Sequence, residues 1–233
     1  MNSGGEGRLD RTGALLGEEA LGRLSRAKVL LVGVGGVGGW CAEALARTGI
    51  GSITVMDDDT VAPSNLNRQC PALVSTLGHP KAQAMKARLE AISGDIEVVA
   101  DSRRYRADSD FRELAGFDVV IDAIDSVDCK AALVLNAFEA GVPVISSMGA
   151  AFRLDPTRVK VTRFDKVEGD GLAKALRMRF RKLERYPGKF ECVWSDEPKV
   201  QSAGEGKGSV MQVTATFGMC LAAAAIKAVL NRA

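Results

Sequence analysis

Three charged side chains follow a glycine-rich loop at spacings that suit the handling of a nucleoside triphosphate. Arg68 and Lys81 are cations that can neutralise the charge that builds up when the bond between the α and β phosphates breaks. Asp125 ends an apolar run and is the candidate ligand for Mg²⁺ beside the triphosphate. Hydride transfer needs no Arg and Lys beyond a pyrophosphate, so these residues favour ATP-dependent chemistry.

The loop itself predicts phosphate binding at the N-terminus of a helix. It contains four glycines, Gly33, Gly35, Gly36 and Gly38. Glycines allow a sharp turn close to a phosphate, and the helix N-terminus offers unpaired N–H groups and a partial positive charge. Asp57, at the end of the next apolar run, is placed to accept hydrogen bonds from ribose hydroxyls. The loop alone leaves open an NAD-linked dehydrogenase or a non-catalytic nucleotide-sensing module.

The apolar and helical periodicities predict the scaffold that positions these residues. Strands are predicted at residues 28–32, 53–56, 96–100, 117–122 and 144–147, and helices at 37–48, 81–92 and 126–140. This alternation predicts the α/β class, with a Rossmann-like, doubly wound and mostly parallel sheet. A further strand at 158–164 and a helix at 210–231 predict a C-terminal antiparallel and helical extension.

The segments outside this alternation are assigned to the same single domain, 1–233. Residues 1–26 are predicted to be an N-terminal helical arm, and residues 165–209 a mobile basic segment that contains one polar helix near 171–183. The apolar stretch at 210–231 includes Gln212 and Lys227, so we interpret it as a buried helix rather than a membrane span.

Composition narrows the class of protein further. Hydrophobic residues make up 46% of the 233 residues, which excludes general disorder, and the net charge of +2 gives no overall attraction to nucleic acid. The five cysteines include no Cys-x-x-Cys pair, which argues against a disulfide framework and a four-cysteine zinc site. Reduced thiols favour a cytoplasmic location.

Taken together, the motifs resemble those of the ubiquitin-activating-enzyme-like superfamily, the group of bacterial molybdopterin- and thiamine-pathway adenylyltransferases. The resemblance rests on Gly-x-Gly-Gly-x-Gly, on Asp57 and Asp59, on Asn-Leu-Asn-Arg-Gln at 65–69, on Lys81, and on Asp-Ala-Ile-Asp at 122–125. It covers roughly residues 8–164. It implies a homodimeric adenylation domain that activates a carboxylate with ATP and Mg²⁺.

The resemblance also implies roles for individual residues. Asp57 would hold the ribose, and four residues would contact ribose or phosphates: Asp59, Asn65, Arg68 and Lys81. Gln69 belongs to the same nucleotide-binding segment, and Asp125 would manage Mg²⁺. Asp122 is expected to be structural.

An N-terminal arginine completes the family's catalytic set. The family's Arg-aromatic-x-Arg segment corresponds here to residues 8–11, with Leu9 in place of the aromatic residue. The resemblance implies that Arg11 reaches the ATP bound by the partner subunit of a homodimer. The alternative is a flexible basic tail.

Within the superfamily, the chain looks like the branch of tRNA threonylcarbamoyladenosine dehydratases. The supporting stretches are residues 40–51, 122–127, 192–197 and 213–218. This branch activates the threonyl carboxylate of a modified adenosine in tRNA, and the intermediate cyclises with loss of AMP. The alternative is adenylation of the C-terminal glycine of a ubiquitin-like sulfur carrier, although the two zinc-binding cysteine pairs typical of those enzymes are absent. A cysteine desulfurase or its sulfur-acceptor protein is a further expected partner.

Two features of the segment 165–209 have both a functional and a purely structural interpretation. Seven basic residues crowd it: Lys174, Arg177, Arg179, Arg181, Lys182, Arg185 and Lys189. They suit a tRNA backbone, or they form a solvated helix face. Cys192 is a candidate nucleophile because a cysteine accepts the acyl group as a thioester in ubiquitin-activating relatives. The cyclisation needs no thioester, so Cys192 is otherwise structural.

Overall fold

A seven-stranded sheet forms the centre of the computed structural model, which describes residues 7–201, 203–204 and 206–231. The strands are β1 (Lys28–Val32), β2 (Ser52–Met56), β3 (Glu97–Asp101), β4 (Val119–Asp122), β5 (Val144–Ser147), β6 (Val159–Arg163) and β7 (Glu191–Ser195). Their spatial order is β3-β2-β1-β4-β5-β7-β6. All neighbouring pairs are parallel except β6 and β7, which are antiparallel. The predicted fold class is confirmed.

Helices cover both faces of the sheet. They are α1 (Asp10–Leu16), α2 (Glu18–Arg26), α3 (Gly38–Thr48), α4 (Lys81–Glu90), α5 (Val127–Glu139), α6 (Gly171–Leu183) and α7 (Met211–Asn231). Ile121 belongs to the core that contains Leu45 of α3 and Phe217 of α7. Val120, its neighbour on β4, belongs to the opposite core with Leu133 of α5 and Phe180 of α6. Because successive strand residues face opposite layers, a strand buried on both faces has the continuous apolar sequence seen in β1 and β4.

The N-terminal arm differs from the single helix that its apolar spacing indicates. Gly17 adopts a positive φ of 85° and separates α1 from α2. Such a backbone angle is open to glycine at little cost, and it ends the first helix. α2 buries Leu24, whereas α1 buries none of its residues and leaves the side chain of Leu15 83% exposed. Residues 1–6 of the predicted arm lie outside the described residues.

The expectation of a mobile loop after α6 is wrong for residues 191–195. These residues form β7, which lies between β5 and β6 and pairs with both. Cys192, Val193 and Trp194 are buried there. The strand has only five residues and is flanked by charged and glycine residues, so its sequence pattern is weak. Its place in the sheet is fixed by pairing on both edges, which is a tertiary effect.

α7 is long and apolar enough to cross a membrane by length and composition, but it packs as a core helix. Val213, Phe217 and Leu221 are fully buried against the sheet and α3. Gly218 allows a close approach to α3, since a Cβ at this position would lie 2.5 Å from the carbonyl oxygen of Val37. This packing agrees with the interpretation of the stretch as a buried helix.

Candidate active site

A cleft with a volume of about 520 Å³ opens at the carboxyl edge of the sheet. In the sheet, β2 and β4 flank β1 on opposite sides, and the cleft lies above the carboxyl end of β1. Open α/β sheets bind ligands at this position, where the order of the strands reverses. Its lining includes the glycine loop, the ends of β2, β4 and β5, and the first residues of α6. Nearly every residue that the sequence singles out for nucleotide chemistry faces this one cleft.

The glycines at the two ends of the loop are required by close backbone packing. Gly33 has a φ of 91°, and a Cβ there would lie 2.7 Å from the carbonyl oxygen of Ala123. A Cβ on Gly38 would overlap the carbonyl oxygen of Gly33. Any side chain at either position would therefore displace the turn that begins α3. Gly35 and Gly36 line the cleft itself, where the missing side chains leave the backbone accessible to a ligand.

Asp57 fixes the glycine loop to the end of β2. Its carboxylate accepts hydrogen bonds from the backbone N–H of Val34 at 2.8 Å and of Asp59 at 2.9 Å. Burial raises the pKa of the Asp57 carboxyl, and the two backbone donors partly offset that rise. The side chain is thus held rigidly at the cleft wall, where the sequence predicts ribose binding.

Lys81 lies in the cleft wall with its charge already paired. Its Nζ donates to Asp59 Oδ2 at 2.8 Å, and its backbone N–H donates to the Asp59 carbonyl at 2.9 Å. Lys81 is only 6% exposed, whereas the Asp59 side chain is 60% exposed. The two contacts preorganise the ammonium group at the start of α4.

Asn65 and Arg68 belong to one turn beside the glycine loop. Asn65 Oδ1 accepts from the N–H of Ala62 at 3.0 Å, so this buried amide stabilises the turn. Arg68 folds back on the same turn and donates to the Ser64 carbonyl at 2.9 Å and to Asn67 Oδ1 at 2.7 Å. These partners are exposed, so the guanidinium can exchange them for an anionic ligand at small cost.

Gln69 supports the fit of a ligand to this part of the cleft. Its Oε1 is buried and has no hydrogen-bond partner among the described residues. A Cβ at Gly35 would lie 3.7 Å from Gln69 Nε2, so the amide stands directly beside the glycine loop. Buried polar groups are nearly always hydrogen-bonded, so the unpaired oxygen suits a donor on a bound molecule.

Asp125 is exposed at the end of β4, on the same cleft. Its side chain is 85% exposed, and Lys207 Nζ lies 3.2 Å from its Oδ2. Both side chains are solvated, so the ion pair is weak and exchangeable. The carboxylates of Asp57, Asp58 and Asp59 gather within 4.8 Å of one another on the β2 side. Carboxylate oxygens are the ligands that Mg²⁺ prefers, so the exposed Asp125, the predicted ligand, fits this metal, whereas the carboxylates of Asp57 and Asp59 already have partners.

Several residues that line the cleft belong to none of the motifs identified in the sequence. Arg103 and Arg104 follow β3, and Arg104 pairs with Asp58 at 3.1 Å. Two adjacent basic residues after a strand could have indicated them, since the ends of parallel strands meet at one edge. Phe152 and Lys199 line the far end of the cleft, and no motif marks either residue.

The family signature spans nearly the whole chain. The ThiF family pattern matches residues 9–233. The chain belongs to the ThiF family. A similar ThiF-family protein, the tRNA threonylcarbamoyladenosine dehydratase of Escherichia coli (strain K12), is 36% identical over 253 residues, which cover 97% of this chain and 94% of that protein.

Solved ThiF-family structures have the same fold. Crystal structures of the Escherichia coli tRNA N6-threonylcarbamoyladenosine dehydratase in complex with AMP and with ATP match this chain with TM-scores of 0.90 and 0.88. Each is 38% identical in sequence, and each match covers 95% of this chain and 93% of that chain. The likeness therefore extends over nearly the whole chain.

Arg11, expected from the ThiF-family resemblance to act on a partner's nucleotide, does not line the cleft of its own chain. It is exposed on α1. The neighbouring Arg8 donates to the carbonyl of Ala46 at 2.8 Å, which ties the arm to the last turn of α3. The glycine loop lies at the opposite end of that helix. Any action of Arg11 on a nucleotide would therefore need the cleft of a second copy, and this role stays a prediction.

Cys192 is not placed to act as a nucleophile, which corrects that interpretation. It is fully buried in β7 between β5 and β6. Burial raises the pKa of its thiol to about 12, so the reactive thiolate is strongly disfavoured. It does not line the cleft. In this ThiF-family fold Cys192 is a core residue.

The basic residues of the segment 165–209 divide into a structural set and an exposed set. Arg177 donates to the carbonyls of Phe164 and Val167, and Arg179 pairs with Asp128 at 2.7 Å. Arg185 pairs with Glu139. Of the seven basic residues named from the sequence, the exposed ones without a salt bridge among the described residues are Lys174, Arg181, Lys182 and Lys189. They form what we call the basic face.

Proposed function

We propose that this ThiF-family enzyme uses ATP to adenylate the carboxylate of threonylcarbamoyladenosine in tRNA. The adenylate forms with release of pyrophosphate, and an atom of the same nucleoside then displaces AMP to close a ring, which amounts to dehydration. The observation that carries the proposal is the convergence of the glycine loop, Arg68, Lys81 and Asp125 on one cleft. The similarity to the Escherichia coli dehydratase, over 97% of this chain, supplies the substrate class.

In this proposal the ATP lies across the first half of the cleft. The backbone of the glycine loop and the N-terminus of α3 hold the phosphates, because unpaired N–H groups and the helix dipole favour anions. Asp57 takes the ribose from the end of β2, and the adenine lies toward the end of β3. Asp59, Asn65 and Gln69 line the same half, and the unpaired Gln69 Oε1 accepts a donor of the nucleotide.

Charge neutralisation at the breaking bond is assigned to two cations. Lys81 is held in place by Asp59, so it stabilises the developing charge without reorganisation. Arg68 leaves its exposed partners and turns toward the phosphates. Asp125 would hold Mg²⁺, and this metal supplies Lewis-acid stabilisation of the phosphate oxygens when it is bound.

A homodimer is the second part of the proposal. Arg11 lies away from the cleft of its own chain. Helix α1 buries none of its residues and leaves Leu15 exposed. A second copy that covers α1 would bury this apolar surface and bring Arg11 to the neighbouring cleft.

The tRNA is proposed to follow α6 away from the cleft. Gly171 and Leu172, the first residues of the 13-residue helix α6, line the cleft, and the later residues of the helix do not. Its basic face suits the phosphate backbone, which dominates affinity for nucleic acids. Contact with a cysteine desulfurase or a sulfur-acceptor protein stays a prediction. The five unpaired cysteines agree with the proposed cytoplasmic location.

AMP release in the presence of different acceptors tests the proposal. The protein is incubated with ATP, Mg²⁺ and bulk tRNA that carries threonylcarbamoyladenosine, and AMP and the cyclic nucleoside are measured. We expect AMP formation that depends on the tRNA. AMP formation that instead depends on a small protein ending in Gly-Gly would replace this function by activation of a sulfur carrier. No AMP with either acceptor would contradict both functions.

A further inference from the structure

The cleft extends beyond the glycine loop and the charged residues that we assign to the nucleoside triphosphate. Past the glycine loop its lining continues along the end of β5, through residues 147–152, and reaches residues 170–172 at the start of α6. Neither the glycine loop nor the charged residues around it belongs to this second half. If ATP occupies the first half, the second half is where the acceptor must lie.

We propose that Phe152 and Lys199 form a subsite in this second half that stacks a purine base of the acceptor RNA. The inference rests on the proposed function and names the residues that hold its substrate. Aromatic rings bind unpaired bases by stacking, and a neighbouring cation suits the phosphate of the same nucleotide.

Phe152 is the ring available for stacking. Two aromatic residues line the cleft, among the residues that the structure describes. The other, Tyr105, is 3% exposed, and its hydroxyl accepts from Asn136 Nδ2 at 2.9 Å, so it belongs to the core. Phe152 is partly exposed, and its ring is therefore open to a ligand.

The backbone at Phe152 is held in an unusual conformation. Its φ is 62°, in the left-handed region that bulky residues rarely adopt. Two hydrogen bonds maintain it: its N–H donates to the Gly208 carbonyl at 2.9 Å, and its carbonyl accepts from the Val200 N–H at 3.0 Å. Strained backbone persists where the surrounding structure enforces it, and such positions cluster at ligand-binding sites. The conformation directs this one side chain into the cleft.

Lys199 places a positive charge against the ring. Its Nζ lies 5.6 Å from the centre of the Phe152 ring, within the range of a cation–π contact. A Cβ on Gly171 would lie 3.3 Å from the same Nζ, so the ammonium group also stands beside the start of α6. The aromatic subsite is thereby continuous with the basic face that we assign to the RNA backbone.

Buried polar contacts hold the turn that carries Phe152. Asp170 accepts from the N–H groups of Ala173 at 2.8 Å and Gly149 at 3.2 Å, which joins the start of α6 to the end of β5. Arg153, directly after Phe152, is 2% exposed and lies 3.9 Å from Asp170. The base of the turn is therefore anchored in the core while the ring faces the cleft.

Substitutions at residue 152 separate stacking from folding. Phe152→Asn removes the ring and keeps a residue type that tolerates the left-handed region. Phe152→Trp keeps an aromatic face. Leu154→Ala, at an exposed residue two positions away that does not line the cleft, is the matched control. For each variant we would measure the affinity for ATP, and the KM and kcat of tRNA-dependent AMP release.

We expect Phe152→Asn to raise the KM for tRNA about tenfold, because the base loses the ring on which it stacks. Its ATP affinity should stay unchanged, Phe152→Trp should raise the KM less than Phe152→Asn because it keeps an aromatic face, and Leu154→Ala should keep the KM of the wild type. Lys199→Met should raise the KM and weaken its dependence on salt. The proposal is overturned if wild-type AMP release depends on tRNA and Phe152→Asn leaves the KM unchanged. A parallel loss of ATP affinity would also overturn it, because Phe152 would then be structural. Absence of tRNA-dependent AMP release by the wild type would instead overturn the proposed function, and this subsite with it.

Discussion

Lys130 and Asp122 form an ion pair beneath the floor of the cleft, with Nζ and Oδ2 2.6 Å apart and both side chains fully buried. Lys130 also donates to the Ser147 carbonyl at 2.9 Å, and Asp122 Oδ1 accepts from the Ile124 N–H at 3.1 Å. The pair therefore joins the ends of β4 and β5, and it positions the two loops that carry Asp125 and residues 147–152 of the cleft lining. This agrees with the structural role expected of Asp122.

Removal of the cation should destabilise the fold strongly. Lys130→Met leaves the Asp122 carboxylate buried without its partner, and breaking such a pair costs about 3–5 kcal/mol. Urea denaturation would measure the loss in free energy of unfolding. The double variant Lys130→Met with Asp122→Asn removes both charges and should recover part of that loss. A single variant as stable as the wild type would show that the pair does not hold these loops.

Removal of the positive charge of Lys81 should strongly reduce kcat while the fold stays intact. Lys81→Met removes a preorganised charge, and we expect tRNA-dependent AMP release to fall by about 10²–10³-fold in kcat. The matched control is Lys86→Met, because Lys86 lies on the same helix, pairs with Glu90 and does not line the cleft. Equal activity of the two variants would remove Lys81 from the catalytic machinery.

The grouping of the glycine loop, Asp57 and Lys81 around the first half of the cleft can be predicted from the sequence because its constraints are local. Gly33 and Gly38 are required by backbone contacts within one turn, and Asp57 follows its strand directly. Lys81 begins a helix with a clear start signal at Pro80. Residues of these types at these spacings leave a pattern in the chain itself, and the structure brings them to one edge of the sheet.

The second half of the cleft has no such sequence pattern, because contacts between residues far apart in the sequence form it. Phe152 depends on backbone partners at residues 200 and 208, and Lys130 becomes a buried residue only when β4 and β5 are adjacent. Cys192 stands in a segment whose charged flanks suggest a loop, and its strand exists because two neighbours pair with it. None of these relationships is visible from residues close in sequence.

The buried thiol of Cys192 should prove dispensable for catalysis. Cys192→Ala removes a core sulfur and no reacting group, so tRNA-dependent AMP release should persist with a modest loss of stability. In the native wild type the thiol should resist alkylation by iodoacetamide at pH 8.5, because its pKa is raised to about 12. A cysteine-linked intermediate, or an inactive but folded Cys192→Ala variant, would restore Cys192 as a nucleophile.

Ionisation of the same thiol should lower the stability of the protein at high pH. The pKa of this thiol in the folded protein lies above its ordinary value of 9.0. The contribution of the neutral, buried thiol to the free energy of unfolding is therefore fully present below pH 9 and is lost as the pH rises toward 12. Comparison of the wild type and Cys192→Ala by thermal unfolding across this window would measure it. The stability of the wild type should fall more steeply, and parallel curves would contradict the burial of an ionisable thiol.

The basic face should control the salt dependence of tRNA binding. Arg181→Gln and Lys182→Gln should each weaken binding and reduce the slope of log K against log salt by about 1, if each contacts a phosphate. Arg112→Gln is the control, since Arg112 is exposed, pairs with Asp110 and lies far from α6 in the sequence. Unchanged slopes for Arg181→Gln and Lys182→Gln would show that the basic face is exposed to solvent and does not contact the tRNA.

Mixing two inactive variants would test whether Arg11 acts on a partner's cleft. Arg11→Ala and Lys81→Met should each be inactive as homodimers, because each lacks one cation in every cleft. In a mixed dimer the Arg11→Ala chain keeps its own Lys81 and receives Arg11 from its partner, so one cleft is complete. Random exchange at equal concentrations makes half of the dimers mixed and should restore activity to about a quarter of the clefts. Activity no greater than the sum of the separate variants would place Arg11 outside the active site, and a monomeric wild type in sedimentation would exclude the arrangement altogether.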